Sequence, residues 1–145
     1  MNEPFKQHGA FSWCELMTSD AEAAKSFYTK LFGWQMEDMK TPGMTYTVIK
    51  VSGNGIGGIM AIPKDAKGMP PAWGTYVTVD DVDATAKAAE QLGAKLCVPP
   101  TDIPDVGRFC VIQDPQGATI NAITYKKMSP SSGEHAPLPD TLTAT

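Results

Sequence analysis

Glu15 is a candidate functional residue, because it is the one acidic side chain in a largely apolar, strand-like run from Phe11 to Met17. A carboxyl group that becomes buried must be hydrogen-bonded, paired with a cation or protonated. Glu15 is therefore a candidate catalytic base, or a group that orients a ligand. The alternatives are an ion pair with Arg108 or a lysine, or a place at an exposed strand end.

Arg108 is a second candidate, because a guanidinium group forms paired hydrogen bonds to a carboxylate or a phosphate. It follows Gly107 at the start of a predicted hairpin. We expect it either to contact a ligand or to pair with a nearby aspartate, and the candidates are Asp102, Asp105 and Asp114.

The histidines and cysteines do not form a recognisable catalytic or metal-binding pattern. His8 and His135 both lie outside the predicted helices and strands, so neither can be placed in a Ser-His-Asp or Cys-His arrangement. The three cysteines, Cys14, Cys97 and Cys110, lie in apolar runs at wide spacings. This pattern predicts buried, reduced thiols rather than disulfides or a zinc site.

Composition limits the class of protein and its partners. The chain has 145 residues, of which 42% are hydrophobic, and a net charge of -4 with scattered basic residues. One globular domain is expected, and neither nucleic acid nor an anionic membrane is an expected partner. No apolar run approaches the length of a membrane span, so we expect a cytoplasmic protein.

The first half of the chain predicts a strand, a helix and three more strands. The strand from Phe11 to Met17 is followed by a capping box, Ser19 with Glu22, that predicts a helix start, and Gly33 predicts its end. The next three predicted strands, separated by turn signals that include Thr41-Pro42-Gly43, are Trp34 to Met39, Met44 to Val51 and Ile56 to Ile62.

The second half repeats this order. Asp80 or Asp81 can cap a helix that ends at Gly93, and its predicted buried face consists of Val82, Ala86, Ala89 and Leu92. The predicted strands are Trp73 to Val79, Lys95 to Val98, Phe109 to Gln113 and Ala118 to Tyr125, with a proline-rich loop from Pro99 to Gly107.

This internal repeat predicts one domain over residues 9–126, made of two modules at about 9–63 and 72–126. Residues 1–8 are then a leader. Residues 127–145, rich in Ser, Pro and Thr, are expected to be a disordered tail.

Several segments together resemble the vicinal oxygen chelate superfamily, which includes glyoxalase I, bleomycin-resistance proteins and extradiol dioxygenases. The segments are Ser26 to Trp34, Gly57-Gly58-Ile59-Met60, Val79 to Asp83, Leu92-Gly93-Ala94 and Asp114 to Gly117. Within the superfamily the chain looks most like a subgroup of glyoxalase-like proteins. The resemblance covers roughly residues 9–125 and implies an α+β fold, in which two βαβββ modules form a curled mixed sheet with a concave pocket.

The resemblance also locates the positions at which metal-dependent members carry their ligands. Here these positions fall at or beside Trp13 and Gly74 in the first strands of the modules, near Ile59 or Met60, and at Asn121. These side chains do not suit a hard divalent ion. We therefore expect no metal and no other cofactor; if a metal is bound, Glu15 is the residue expected to ligate it.

The pocket lining follows from strand alternation once Trp13 is taken to face the pocket. Phe11 and Glu15 then share its face, as do Gly74, Tyr76 and Thr78 in the second module and Thr119 and Asn121 in the last strand. The expected ligand-binding residues are Phe11, Trp13, Glu15, Met60, Gly74, Tyr76, Arg108 and Asn121. Glu15 is the candidate catalytic residue.

Three functions remain open. The first is a metal-free protein that binds a small organic molecule in the concave pocket. The second is a lyase, isomerase or dioxygenase with an atypical metal site. The third is an interaction protein that keeps only the fold. The resemblance leaves a homodimer open as well.

Overall fold

The structure, a computed structural model, describes residues 3–41, 44–66 and 68–126. The first half contains β1 (Phe11–Thr18), α1 (Ala21–Phe32), β2 (Gln35–Thr41), β3 (Met44–Val51) and β4 (Asn54–Ala61). The second half contains β5 (Ala72–Thr78), α2 (Val82–Gln91), β6 (Lys95–Ile103), β7 (Gly107–Gln113) and β8 (Thr119–Tyr125). Short 3-10 turns lie at Glu3–Phe5 and Lys64–Ala66. The predicted tail with His135, and Pro42-Gly43 of a predicted turn, lie outside the described residues.

The eight strands form one mixed sheet in the order β2-β3-β4-β1-β5-β8-β7-β6. The first strands of the two halves, β1 and β5, pair antiparallel at its centre, while each pairs in parallel with the last strand of its own half. The predicted α+β fold of two βαβββ modules in a curled sheet is thereby confirmed. Both helices lie on one face of the sheet, and we call the opposite face the concave face.

Aspartates cap both helices. The Asp20 carboxylate accepts a hydrogen bond from Ala23 N, and Asp81 accepts one from Ala84 N. Asp20 rather than the predicted Ser19 is the cap of α1, because the helix begins one residue later than the capping box requires. Gly33 ends α1 with φ 74°, which is the left-handed conformation that favours glycine.

The second half differs from prediction at β6 and at the end of α2. The first part of the expected loop after Val98 is instead a continuation of β6 to Ile103, which contains Pro99 and Pro100. Proline is tolerated here because β6 is an edge strand, and its pairing with β7 is irregular between Val98 and Thr101. Leu92, predicted to be buried, is 80% exposed because α2 ends at Gln91.

The described residues form three apolar clusters. One lies under α1 around Leu16, Ile49 and Ile59. A second lies under α2 and includes Val82, Ala86 and Cys110. The largest lies on the concave face, and its members are Phe5, Trp13, Tyr46, Val48, Tyr76, Ile103, Val106, Ile123 and Tyr125. The predicted leader thus supplies a core residue, Phe5.

Only one of the three cysteines is buried. Cys110 lies in the cluster under α2, whereas Cys14 and Cys97 are exposed, and all three thiols are free. The expectation of buried thiols was therefore wrong for Cys14 and Cys97. Among the described residues, no helix is both long and apolar enough to cross a membrane.

Candidate functional site

The carboxyl group of Glu15 lies at the centre of the concave face, where β1 and β5 meet. Its side chain is only 7% exposed. Tyr46 donates a hydrogen bond to Oε2 at 2.7 Å, and Tyr76 donates one to Oε1 at 3.1 Å. The two tyrosines come from different modules, so both halves of the chain hold this one carboxyl group.

Trp13 extends the network, because its Nε1 donates to the Tyr46 hydroxyl at 2.9 Å. Tyr46 therefore accepts from an indole and donates to a carboxyl group while its side chain is fully buried. A Cβ at Gly58 would lie 1.9 Å from the Tyr46 hydroxyl oxygen, so this glycine makes room for the phenol. Sequence reasoning did not predict Tyr46; its position in an apolar strand, on the face opposite Thr47, was the available signal.

Burial makes this network electrostatically unusual. Loss of solvent raises the pKa of Glu15 above its ordinary value, and the hydrogen bonds from Tyr46 and Tyr76 oppose that rise only in part. Burial, together with the negative charge of Glu15, also raises the pKa values of Tyr46 and Tyr76, so both remain hydroxyl donors. The arrangement favours a protonated Glu15 over a wider pH range than an exposed glutamate has, and such a group can exchange a proton with a bound molecule.

One end of the concave face is closed by aromatic side chains. The ring of Phe5 meets that of Tyr125 edge-on at 5.3 Å and that of Trp13 at 6.5 Å. The hydroxyl groups of Ser12 and Tyr125 are 2.7 Å apart. The pairing of β1 with β5 shifts between Phe11 and Trp13, and strand alternation fails there. Phe11 is consequently 67% exposed and does not join the Glu15 network, contrary to prediction.

The other end of the concave face is more open. Met17 pairs with Met60 on β4 and with Ala72 on β5; the two methionines are partly exposed and Ala72 is exposed. Thr119, at the corresponding end of β8, is exposed as well. Ile59 is fully buried under α1, so Met60 is the one of this predicted pair that faces the concave side. A molecule could reach Glu15 from this end.

Two glycines flank Glu15 on the neighbouring strands, Gly58 on β4 and Gly74 on β5. The space beside Gly58 is filled by Tyr46. Beside Gly74, the nearest atom to an added Cβ is Nδ2 of Asn121, at 3.4 Å. Asn121 is held by a hydrogen bond from Nδ2 to Thr75 O at 3.1 Å, and within the described residues its Oδ1 accepts no hydrogen bond. An added Cβ at Gly74 would therefore make ordinary contacts with the Asn121 amide and with the backbone oxygen of Glu15, 4.0 Å away.

Arg108 does not share this site. It contacts Asp83 of α2 through two hydrogen bonds of 3.0 Å and Asp102 of β6 through one of 2.9 Å. These pairs raise the pKa of Arg108, and the guanidinium lowers the pKa of Asp83. A cavity of about 480 Å³ lies beside Arg108, and its acidic lining residues are Asp80, Asp81, Asp83, Asp102 and Asp105. The predicted contact between Arg108 and a ligand at Glu15 is thus not supported by this geometry.

The side chains around Glu15 do not fit a divalent metal ion. Both oxygens of this carboxyl group already accept hydrogen bonds from tyrosines. The family ligand positions carry an indole, a glycine, a thioether and an amide, and within the described ranges no three His, Cys, Asp or Glu residues are grouped as metal ligands. A site for such an ion requires several oxygen, nitrogen or thiolate donors. The residues around Glu15 therefore do not provide the ligands of a divalent metal ion.

Comparison with known proteins finds the same superfamily over most of the chain. The sequence model of the "Glyoxalase/Bleomycin resistance protein/Dioxygenase superfamily" matches residues 10–122. A Mycobacterium tuberculosis protein named as a candidate glyoxylase, CFP32, is 41% identical over 117 residues, which are 79% of this chain and 45% of that protein. The anthracycline biosynthesis protein DnrV of Streptomyces peucetius is 33% identical over 123 residues, covering 76% of this chain and 45% of DnrV.

Among solved structures, a variant of Streptomyces coelicolor methylmalonyl-CoA epimerase in complex with 2-nitronate-propionyl-CoA superposes with a TM-score of 0.62. The match covers 83% of this chain and 100% of the epimerase at 15% identity, which supports a common fold. This chain spans less than half the length of the curated relatives that it matches, 45% in each case.

Proposed function

The chain belongs to the glyoxalase/bleomycin resistance protein/dioxygenase superfamily, and from this premise we propose that it binds a small organic molecule at the open end of its concave face. The observation that carries the proposal is the buried Glu15, which lies between glycines on both neighbouring strands, Gly58 and Gly74. On the same face lie the partly exposed amide of Asn121 and the partly exposed thioethers of Met17 and Met60. Pockets for small molecules combine mostly apolar walls with a few placed polar groups.

The expected ligand has an apolar body and at least one carbonyl or hydroxyl group. Met17 and Met60 contact the body, because thioether side chains adapt to irregular shapes. Glu15 and the Asn121 amide supply the polar contacts. The relative DnrV is named for anthracycline biosynthesis, so an anthracycline is the first probe that we would use.

Substitutions at Gly74 test the proposal directly. A Cβ at this position makes ordinary contacts, so Gly74→Ala should fold normally, and Gly74→Val places two further methyl groups on the concave face beside Asn121. We expect the affinity for an anthracycline, measured by calorimetry, to fall about tenfold or more for alanine and further for valine. The matched control is Thr75→Val, the next residue on the opposite face of β5, which should leave the affinity unchanged.

Either of two results would contradict the proposal. An unchanged affinity in Gly74→Val would place the ligand elsewhere. Failure of a broad set of aromatic and carbonyl compounds to raise the melting temperature would favour an interaction protein, whose concave face serves only as a core.

Acid-base catalysis by Glu15 is a second candidate function, and the raised pKa of this buried carboxyl group favours it. Glu15→Gln separates the two functions. If the protein only binds, the variant retains most of its affinity and there is no turnover to lose; if it catalyses, binding persists while turnover falls by about 10²-fold or more.

The module boundaries, the cellular location and the oligomeric state are further parts of the proposal. We propose two modules at residues 9–63 and 72–126, with residues 1–8 and 127–145 outside them, in a cytoplasmic protein that binds no nucleic acid; a monomer and a homodimer are both open. Light scattering after gel filtration measures the number of chains, and a monomer at all concentrations would exclude the dimer.

A further inference from the structure

We propose that the sheet face opposite Glu15 carries a second binding site, for an uncharged, planar aromatic molecule. The site is a cleft between α1 and the centre of the sheet, lined chiefly by Tyr28, Phe32, Trp34, Trp73, Cys14 and Thr75, and we call it the aromatic cleft. It goes beyond the proposed function, because it lies on the other side of β1 and β5; its lining includes Gly74, whose backbone borders both faces, but no side chain of the Glu15 network.

The cleft exists because the two helices leave the middle of the sheet uncovered. The side chains packed beneath α1 come from β1, β3 and β4, and those beneath α2 come mainly from β5 to β8. On β1 and β5 between them lie the small residues Cys14 and Thr75, so the surface is hollow there. The cavity measures about 590 Å³. This is within the range of about 300–1,000 Å³ that is usual for small-molecule sites.

The aromatic walls hold each other in place without a ligand. Tyr28 stacks on Trp34 at 5.6 Å and meets Trp73 edge-on at 5.5 Å, while Trp34 and Trp73 are 6.1 Å apart. Trp73 Nε1 also donates to the Tyr28 hydroxyl at 3.2 Å. A wall that is fixed in advance loses little conformational freedom when a ligand binds.

Two of the four aromatic walls are nevertheless exposed, while Tyr28 and Trp34 are partly buried. The structure describes every residue of α1, and none of them is buried. Phe32 is 57% exposed and Trp73 is 42% exposed. A contiguous exposed apolar surface of this kind indicates a site of interaction rather than a solvated face.

The chemistry of the lining selects the class of ligand. No charged side chain lines the cleft, and the polar groups of its side chains are the hydroxyls of Tyr28 and Thr75, the indole N–H groups of Trp34 and Trp73 and the thiol of Cys14. An ion would lose its hydration here without gaining a counter-charge, so the expected ligand is uncharged. Ring faces and edges on several sides favour a flat aromatic ligand, because offset stacking and edge-to-face contacts are the preferred aromatic geometries.

Two exposed cysteines allow a matched test of this site. Cys14 lines the cleft, whereas Cys97 lies on the edge strand β6, and both thiols are free and exposed. The probe is N-phenyl-1-naphthylamine, which is neutral, aromatic and fluorescent. Alkylation of each cysteine by iodoacetamide is followed by mass spectrometry, with and without the probe.

We expect the probe, at about ten times its dissociation constant, to slow alkylation of Cys14 about tenfold and to leave that of Cys97 unchanged. Trp73→Ala should abolish the protection. Leu92→Ala, which removes an exposed apolar side chain outside the cleft, should preserve it, and so should Glu15→Gln.

Three outcomes would overturn the proposal. Protection of neither cysteine would mean that the cleft does not bind the probe, and equal protection of both would mean non-specific adsorption. Alkylation of Cys14 that slows as the protein concentration rises, without probe, would mean that a second copy of the chain covers the cleft.

Discussion

Removal of the Tyr46 hydroxyl should destabilise the protein more than removal of any other hydroxyl group on the concave face. In Tyr46→Phe, the buried Trp13 Nε1 loses its acceptor and Glu15 Oε2 loses a donor, and the ring is fully buried, so water cannot easily replace the lost hydroxyl. A buried group without a partner costs about 1–3 kcal/mol, so we expect the free energy of unfolding to fall by about 3 kcal/mol. Tyr76→Phe is the matched control. It removes one bond of 3.1 Å from a residue with 8% exposure, and we expect a loss of about 1 kcal/mol.

The cost of Tyr46→Phe should also depend on pH. The hydrogen bond from Tyr46 lowers the pKa of Glu15, so its removal raises that pKa further above the value of the unfolded chain. At a pH below the unfolded pKa, Glu15 is protonated in both states and contributes no difference. As the pH rises above that value, the variant loses more stability than the wild type, by about 1.4 kcal/mol for each additional pKa unit.

Urea unfolding at about pH 4 and about pH 8 measures both effects, provided that the slope of the unfolding free energy against urea stays constant. Repeating the comparison in a Glu15→Gln background should remove the pH-dependent part. Equal and small losses in Tyr46→Phe and Tyr76→Phe, without pH dependence, would refute the view that Tyr46 joins Trp13 to Glu15.

Two further predictions concern the same site. Glu15→Gln should become more stable relative to the wild type as the pH rises above the ordinary glutamate pKa, because the wild type must then either bind a proton or bury a charge, and glutamine does neither. Urea unfolding from about pH 4 to about pH 8 measures this difference, and parallel stability curves for the two proteins would contradict the prediction. Gly58→Ala should cost about 3 kcal/mol, because its Cβ displaces the Tyr46 hydroxyl; a variant that melts like the wild type would show that Tyr46 is not tightly held.

The elements with strong local signals were predictable from the sequence. The helix ending at Gly33 and the hairpin around Asp114 to Gly117 are set by local turn and cap chemistry, and both occur as predicted. The proline-containing part of β6 was not predictable in this way. Its strand conformation depends on pairing with β7 at the edge of the sheet, which is a tertiary effect that overrides local preference.

In the candidate site, too, the features with a local signal were predictable and those that depend on tertiary contacts were not. Glu15 stood out because a charge in an apolar strand needs a partner. Its partners Tyr46 and Tyr76 lie 31 and 61 residues away, and no local pattern specifies such distant pairing. Phe11 was misplaced because strand alternation assumes regular pairing, and the register shift before Trp13 breaks it. Arg108 was close in sequence to several aspartates, and only the packing of α2 on β7 selects Asp83.

Around Glu15 and its neighbouring glycine Gly74, equivalent positions of the two modules carry different residues. The helices of the modules begin at Ala21 and Val82, 82 − 21 = 61 residues apart, and this offset makes Trp13 equivalent to Gly74 and Glu15 equivalent to Tyr76. In the sheet, Trp13 pairs with Tyr76 and Glu15 pairs with Gly74, so the two halves of this antiparallel pairing carry different side chains. If the two modules carried identical residues here, a bound molecule would have two equivalent orientations related by a twofold rotation. Because the residues differ, it has only one, and the two modules make different contacts with it.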